Sequence, residues 1–326
     1  MTLHRRLFLS ALSSAAALLA HPVLAQGWTP SKPITIVVAY PAGGDSDALA
    51  RQYAEKLAQR LGQQVIVDNK PGASGTIGTA FVARAAADGH TLLLAPSTLA
   101  VAPLVLKLGP ATAHDPAKDL TSIIMTGTIP LLLGTHPGGP KDLKAMVADG
   151  KAGKKLTYGS PGIGSPMHVV AEVLNREAGI KVDHVPYRGI APAITDLMGG
   201  QITTAWGTPG AFAAQIAGGK IVPLAISDSK RTPFLPNVPT FAELGYKEVD
   251  IAAWHGLLGP KGLPAHIVVT LNSHMNDILK MPDVMEKMKV FGVGVVGGAP
   301  DALSKVIAAD TVRFAKLVRD FKIEAE

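Results

Sequence analysis

Two glycines, Gly43 and Gly44, separate a β-branched run, Ile34 to Val38, from a stretch that opens Asp45-Ser46-Asp47 and then repeats Leu49, Tyr53, Leu57 and Leu61. The run has the character of a buried parallel strand, and the four-residue repeat that of a helix with one apolar face, stopped by Gly62. Glycines at such a junction let the backbone turn sharply and leave amide N–H groups open, while Asp45, Ser46 and Asp47 supply N-cap and first-turn residues. Open N–H groups at a helix start favour an anion. Asp47 serves the helix dipole there as well as any ligand, and Tyr40, beside a polar turn, has a hydroxyl to present. The turn matches neither G-x-G-x-x-G nor G-x-x-x-x-G-K-[ST], so a nucleotide or dinucleotide cofactor loses its main support.

Similar loops recur downstream. Asn69 to Thr76, with Ser74 and Gly75, leads from a strand at Gln64 to Asp68 into a helix at Ile77 to Ala86. Pro96-Ser97-Thr98 follows a strand at Thr91 to Ala95. Ser160 to Ser165, with Gly162, joins a strand at Leu156 to Gly159 to a helix at Met167 to Ala178, with His168 in its first turn. Gly207-Thr208-Pro209 is a turn closing the strand Ile202 to Trp206. Helix capping accounts for Ser74, Ser97 or Ser160 taken singly. Their shared position at strand ends adds a binding reading, because ligands of open α/β sheets gather there. His168 and Glu172, one turn apart, have a metal-ligand spacing, but two residues make a weak constellation, and a hydrogen-bonding histidine is the favoured role. The chain has no cysteine, which excludes Cys nucleophiles and Cys-ligated zinc. An exported α/β hydrolase is the competing class. It lacks a G-x-S-x-G elbow and an H-E-x-x-H helix, and Gly72-Ala73-Ser74-Gly75 does not have the elbow's spacing.

Strands alternating with helices predict an α/β fold with parallel sheets, and 326 residues suggest two domains. Thr121 to Gly134 reads as two short strands around Pro130, where the chain leaves the first domain; Asp250 to Leu258 reads as its return. Domain 1 is thus 26–127 with 250–326, and domain 2 is 128–249. Two crossings, near Gly127 and Asp250, make a double hinge and a clamp around a small ligand. Helices at Ala265 to Leu279, Val284 to Phe291 and Pro300 to Phe321 complete domain 1. Residues 1–25 read as a signal peptide: Arg5-Arg6, an apolar stretch from Leu7 to Ala20, and a Val23-Leu24-Ala25 cleavage site, with a twin-arginine flavour. The net charge of +6 falls to about +4 without Arg5 and Arg6 and includes no basic run, which argues against nucleic acid. A periplasmic location follows.

Val38-Ala39-Tyr40-Pro41-Ala42-Gly43-Gly44 with Asp47 and Arg51, Asn69-Lys70-Pro71-Gly72-Ala73, Ala87-Asp88-Gly89, Pro186-Tyr187-Arg188-Gly189, and Val238-Pro239-Thr240 with Glu243 and Gly245 form an ordered set. With Trp254 and Gly256 before Pro260 and Pro264, the set resembles the Bug family, the TctC-type extracytoplasmic solute receptors of tripartite tricarboxylate transporters. The resemblance covers essentially the whole chain after residue 25. It implies a type II periplasmic-binding-protein fold, two α/β domains with a ligand cleft between them, no cofactor and no catalysis. It also implies a small organic acid as ligand, held on the first loop partly through ordered waters, and delivery to membrane subunits by a chain expected to be a monomer. Tyr40, Ala42, Gly43, Gly44 and Asp47 match the first binding loop; Ser160 to Ser165 with His168 matches the opposing one less literally. Ala39, Tyr40, Ala87 and His90 depart from the family's usual residues, which bears on ligand identity more than on fold. The strand Ile202 to Trp206 ends without the acidic residue that many members of the family place near there, which disfavours an amino group; a dicarboxylate without one is the leading expectation, ahead of a monocarboxylate or a neutral ring amide. A sensor reporting to a membrane partner has the same sequence signature as a transport receptor.

Overall fold

The computed structural model describes residues 27–320 and Ile323, so the export signal expected over residues 1–25 lies outside the described residues. The first half-sheet is built from β1 (Ile34–Val38), β2 (Val65–Asn69) and β3 (Thr91–Pro96), with β1 parallel to both neighbours. Between them run α1 (Asp45–Leu61), a 3-10 turn at Ala73–Gly75 with α2 (Thr76–Ala83), and α3 (Thr98–Val105). In α1 the four-residue repeat does what its period demands: Leu49, Tyr53 and Leu57 are fully buried, and Gly62 ends the helix in the left-handed region.

β4 (Leu120–Thr135) is a single 16-residue strand, not two strands around Pro130. The two-strand expectation has a physical kernel, since β4 has two sets of partners. Leu120 to Pro130 pair antiparallel with β9 (Ala252–Pro260), whereas Leu131 to Thr135 pair with β7 (Thr204–Gly207) and β8 (Val222–Ser227). Pro130 has no N–H to donate, and it sits at the exchange point, where a missing ladder donor is tolerated. With β5 (Leu156–Ser160) and β6 (Val182–Pro186), the strand order β2-β1-β3-β9-β4-β7-β5-β6 therefore holds two half-sheets joined through β4, with β8 and β10 (Gly294–Val295) pairing β4 off that path.

The second lobe repeats the strand-loop-helix unit. It contains α4 (Leu143–Lys151), β5 (Leu156–Ser160), α5 (Pro166–Ala178), β6 (Val182–Pro186), α6 (Ile190–Met198) and α7 (Pro209–Ala217), with β5 parallel to β6 and β7. Helix α7 is absent from the sequence reading, which treats Gly207-Thr208-Pro209 as a turn. The signal was present: Thr208 is an N-cap whose Oγ1 accepts from Ala211 N–H, and Pro209 stands at the first helical position. The chain returns through β9 to α8 (Ala265–Ile278), α9 (Pro282–Val290) and α10 (Pro300–Asp320). Within the described residues the fold is a two-lobed α/β sandwich of strands and helices whose lobes share β4.

Candidate functional site

Between the lobes lies a cavity of about 480 Å³, a size suited to a small molecule. Five helices begin at its wall: α1 at Asp45 and α3 at Thr98 from the first lobe, α5 at Pro166, α6 at Ile190 and α7 after Thr208 from the second. Each helix start carries roughly half a positive charge in open N–H groups. Their convergence makes the space between the lobes favourable to an anion.

The first loop differs from expectation in one detail. Gly43 N–H is already taken, donating to Asp47 Oδ2 at 2.9 Å, so the open donors are those of Gly44, which is the actual N-cap, and Asp45; neither has an acceptor among the described residues. Asp47 is buried and fixed by Arg51, whose Nη2 lies 2.9 Å from Oδ1. Burial alone would raise its pKa, but Arg51 and the Gly43 N–H outweigh that and hold the carboxyl below its ordinary range. Asp47 thus shapes the loop from behind. Ala42 and Gly43 line the cavity with Gly44. Tyr40 also lines it, yet its hydroxyl donates to the Ser74 carbonyl at 3.3 Å, and burial pushes the phenol up to about 12.

None of Ser74, Ser97 and Ser160 makes a side-chain cap bond. Ser97 lines the cavity, 1% exposed, with no partner for its hydroxyl among the described residues, and Thr98 lies beside it. Ser74 lines the cavity too, but its hydroxyl crosses between lobes to donate to Ile163 O at 2.6 Å. Ser160 turns into the second lobe, 2.7 Å from His184 Nε2. His184 stacks between Tyr158 and His168, at 4.7 and 4.3 Å. His168 Nδ1 accepts from Gly164 N–H, and Glu172 is spent on the Tyr158 hydroxyl at 2.6 Å. Ser160, His168, Gly162 and Gly75 therefore stand behind the wall rather than in it, bracing the loops that form it. Burial lowers the His168 pKa to about 4; burial and the neighbouring His168 lower His184 to about 3. Ser165 and Thr208 do reach the wall, each capping its helix.

Several wall residues were not among the ligand-binding residues expected from sequence. Ser46 Oγ lies 2.9 Å from Nε2 of His255, a fully buried imidazole whose Nδ1 has no partner among the described residues and whose pKa burial lowers. Their proximity follows from β9 running beside β3, with His255 opposite Pro96, which no local pattern reports. Arg188, Gly189 and Ile190 bring a guanidinium and a helix start from the second lobe. Trp254 and Phe291 add apolar surface. Asp45, read only as a first-turn residue, also lines the cavity.

The lobes touch on two flanks. A Cβ on Gly164 would meet Val105 Cγ2 at 2.5 Å, and one on Gly210 would lie 2.5 Å from both Phe291 Cα and Phe291 O. With the Ser74 to Ile163 bond, these contacts describe a closed clamp.

A two-lobed α/β clamp with helix starts facing the interlobe cavity defines a solute-binding protein of the periplasmic-receptor type. The chain matches the family described as tripartite tricarboxylate transporter family receptor (TctC) over residues 49–323, and it belongs to that family. It is 36% identical to Protein BugT of Bordetella pertussis over 322 residues, covering 98% of each chain. Among solved structures, periplasmic binding protein BugD superposes with a TM-score of 0.82 at 32% identity, covering 91% of this chain and 100% of BugD. Rpa4515 of R. palustris, solved with adipate, superposes with a TM-score of 0.85 at 30% identity over 91% of this chain and 99% of that one.

Proposed function

We propose that this chain is exported to the periplasm, captures a small organic carboxylate in the interlobe cavity, and hands it as a monomer to the membrane subunits of a tripartite tricarboxylate-type transporter. The observation that carries the reading is the convergence of five helix starts, with the N–H groups of Gly44 and Asp45 that have no acceptor among the described residues, on one interlobe cavity. The ligand carboxylate lies on those two N–H groups. The hydroxyls of Ser97 and Thr208 and the guanidinium of Arg188 face its remaining polar atoms. The adipate held by Rpa4515 supports a carboxylic acid of this size. Residues 26–127 and 250–326 act as one rigid body and 128–249 as the other, pivoting on β4 and the segment entering β9.

A melting-temperature screen of free acids against their methyl esters tests the anion site. Esterification removes the charge that the N–H groups favour, so acids raise the melting temperature and esters do not. Equal stabilisation by acid and ester refutes the reading. Ester turnover in the same wells would transfer the site to hydrolysis, with Ser46 and His255 as the contact to examine.

A further inference from the structure

Helix α10 ends against a different lobe from the one in which it begins. It is 21 residues, about 30 Å, long, and none of its residues lines the cavity. Its first half belongs to the first lobe. Leu303 fills the space beside Gly256, where a Cβ would meet Leu303 Cδ2 at 2.7 Å, and Leu303 and Ile307 share an apolar cluster with Leu93, Leu99 and Leu258. The second half leaves that cluster: Phe314 and Leu317 are buried in the larger one, which runs from the first lobe to Val173 and Leu174 of α5.

Three hydrogen bonds follow the same passage. Asp310 Oδ2 accepts from the Trp254 indole N–H at 2.7 Å, within β9. Three residues on, Arg313 Nη2 donates to Asp250 O at 2.6 Å, where the chain returns from the second lobe. At the last residue of the helix, Asp320 O accepts from Arg176 Nη1 at 3.1 Å. Arg176 stands ten residues along α5 from Pro166 at the cavity wall, a distance of about 15 Å. The helix therefore grips the first lobe, the hinge segment and the second lobe in that order.

Sharp helix kinks need proline, glycine or an inserted side chain, and α10 has no proline after Pro300 and no glycine. It moves as one rod. When two lobes rotate about a hinge, a rod seated on both must let go at one end. The first-lobe end is anchored by buried leucine and isoleucine, whereas Arg313 and Arg176 are exposed, so the second-lobe end is the one that yields. Resting on the two-body clamp proposed above, we propose that the C-terminal half of α10 is a brace, a third connection between the lobes, whose Arg313 and Arg176 contacts hold the clamp in its closed arrangement from outside the cavity.

Double electron–electron resonance tests this without a ligand. The chain has no cysteine, so spin labels attach at Lys118→Cys in the first lobe and Lys154→Cys in the second, both exposed. The labelled, unliganded parent shows two distance populations, closed and open. Arg313→Ala and Arg176→Ala each raise the ratio of open to closed at least threefold with far-UV circular dichroism unchanged. Lys305→Ala, which removes an ion pair within the first half of α10, leaves the ratio at the parent's value. An open population that stays at the parent's level in both arginine variants, or falls, overturns the brace and leaves the clamp standing. If the parent and both variants show the closed distance alone, the two-body motion itself falls, and the brace with it.

Discussion

Gly210→Ala separates closure from folding. Gly210 is the second residue of α7, where alanine is the better helix former by up to about 1 kcal/mol, so the isolated lobe has no reason to lose stability. In the closed clamp, however, the new Cβ would lie 2.5 Å from Phe291 Cα and carbonyl oxygen, against the roughly 3.5 Å of ordinary contact. The obstacle is backbone, and the pair is boxed in from the other side, because a Cβ on Gly292 would be 3.2 Å from Gly210 N. The flank must therefore part by about 1 Å, which withdraws the second-lobe wall from a ligand seated on the first. Loss of even one charge-assisted contact is worth about 1.5 to 3 kcal/mol, so the dissociation constant rises at least tenfold. Trp254 lines the cavity and reports binding by its fluorescence. The expected result is weaker binding with an unliganded melting temperature equal to or above that of the parent. A variant that binds as tightly as the parent would show that this flank does not limit closure.

Gly44→Val crowds the N–H groups that we assign to the carboxylate and should weaken binding more than tenfold without unfolding the chain; unchanged affinity would move the anion elsewhere. Without ligand the lobes should part from the closed arrangement described above, so saturating ligand should lower the radius of gyration in small-angle scattering, and an unchanged curve removes the clamp. Ser74→Ala deletes the bond to Ile163 O and should speed ligand release in stopped-flow measurements, whereas an unaltered release rate would make the bond incidental. Acid should destabilise the fold before carboxylates titrate. His168 and His184 have native pKa values of about 4 and about 3, while unfolded histidines titrate near 6.5, so the unfolded chain binds more protons as pH falls through that interval. For His168 alone the loss at pH 5 is about 2 kcal/mol. The melting temperature should drop between pH 7 and pH 5, and His168→Asn should flatten the slope; a level profile in the parent would contradict the buried, neutral assignment.

The chain's local pattern determined a great deal. β-branched runs, a four-residue apolar repeat and glycine turns specify β1, α1 and the later strand-loop-helix units, because period and turn chemistry are properties of neighbouring residues. The first loop, Tyr40 to Asp47, was legible for the same reason, and so was the receptor family, through its ordered motifs. Tertiary structure decided what depends on residues far apart in the chain. Whether Thr121 to Gly134 is one strand or two turns on which strands lie beside it, and β4 is continuous because β9 supports one end while β7 and β8 support the other. Ser97 and Ser160 are alike in sequence, yet one faces the cavity and the other is consumed by His184, since only the packing of β6 against β5 brings that imidazole within reach. Ser46 meets His255 across 209 positions, and Arg188 reaches the same cavity from the opposite lobe. Such a wall is assembled from residues that the linear order keeps apart, so folding alone reveals it.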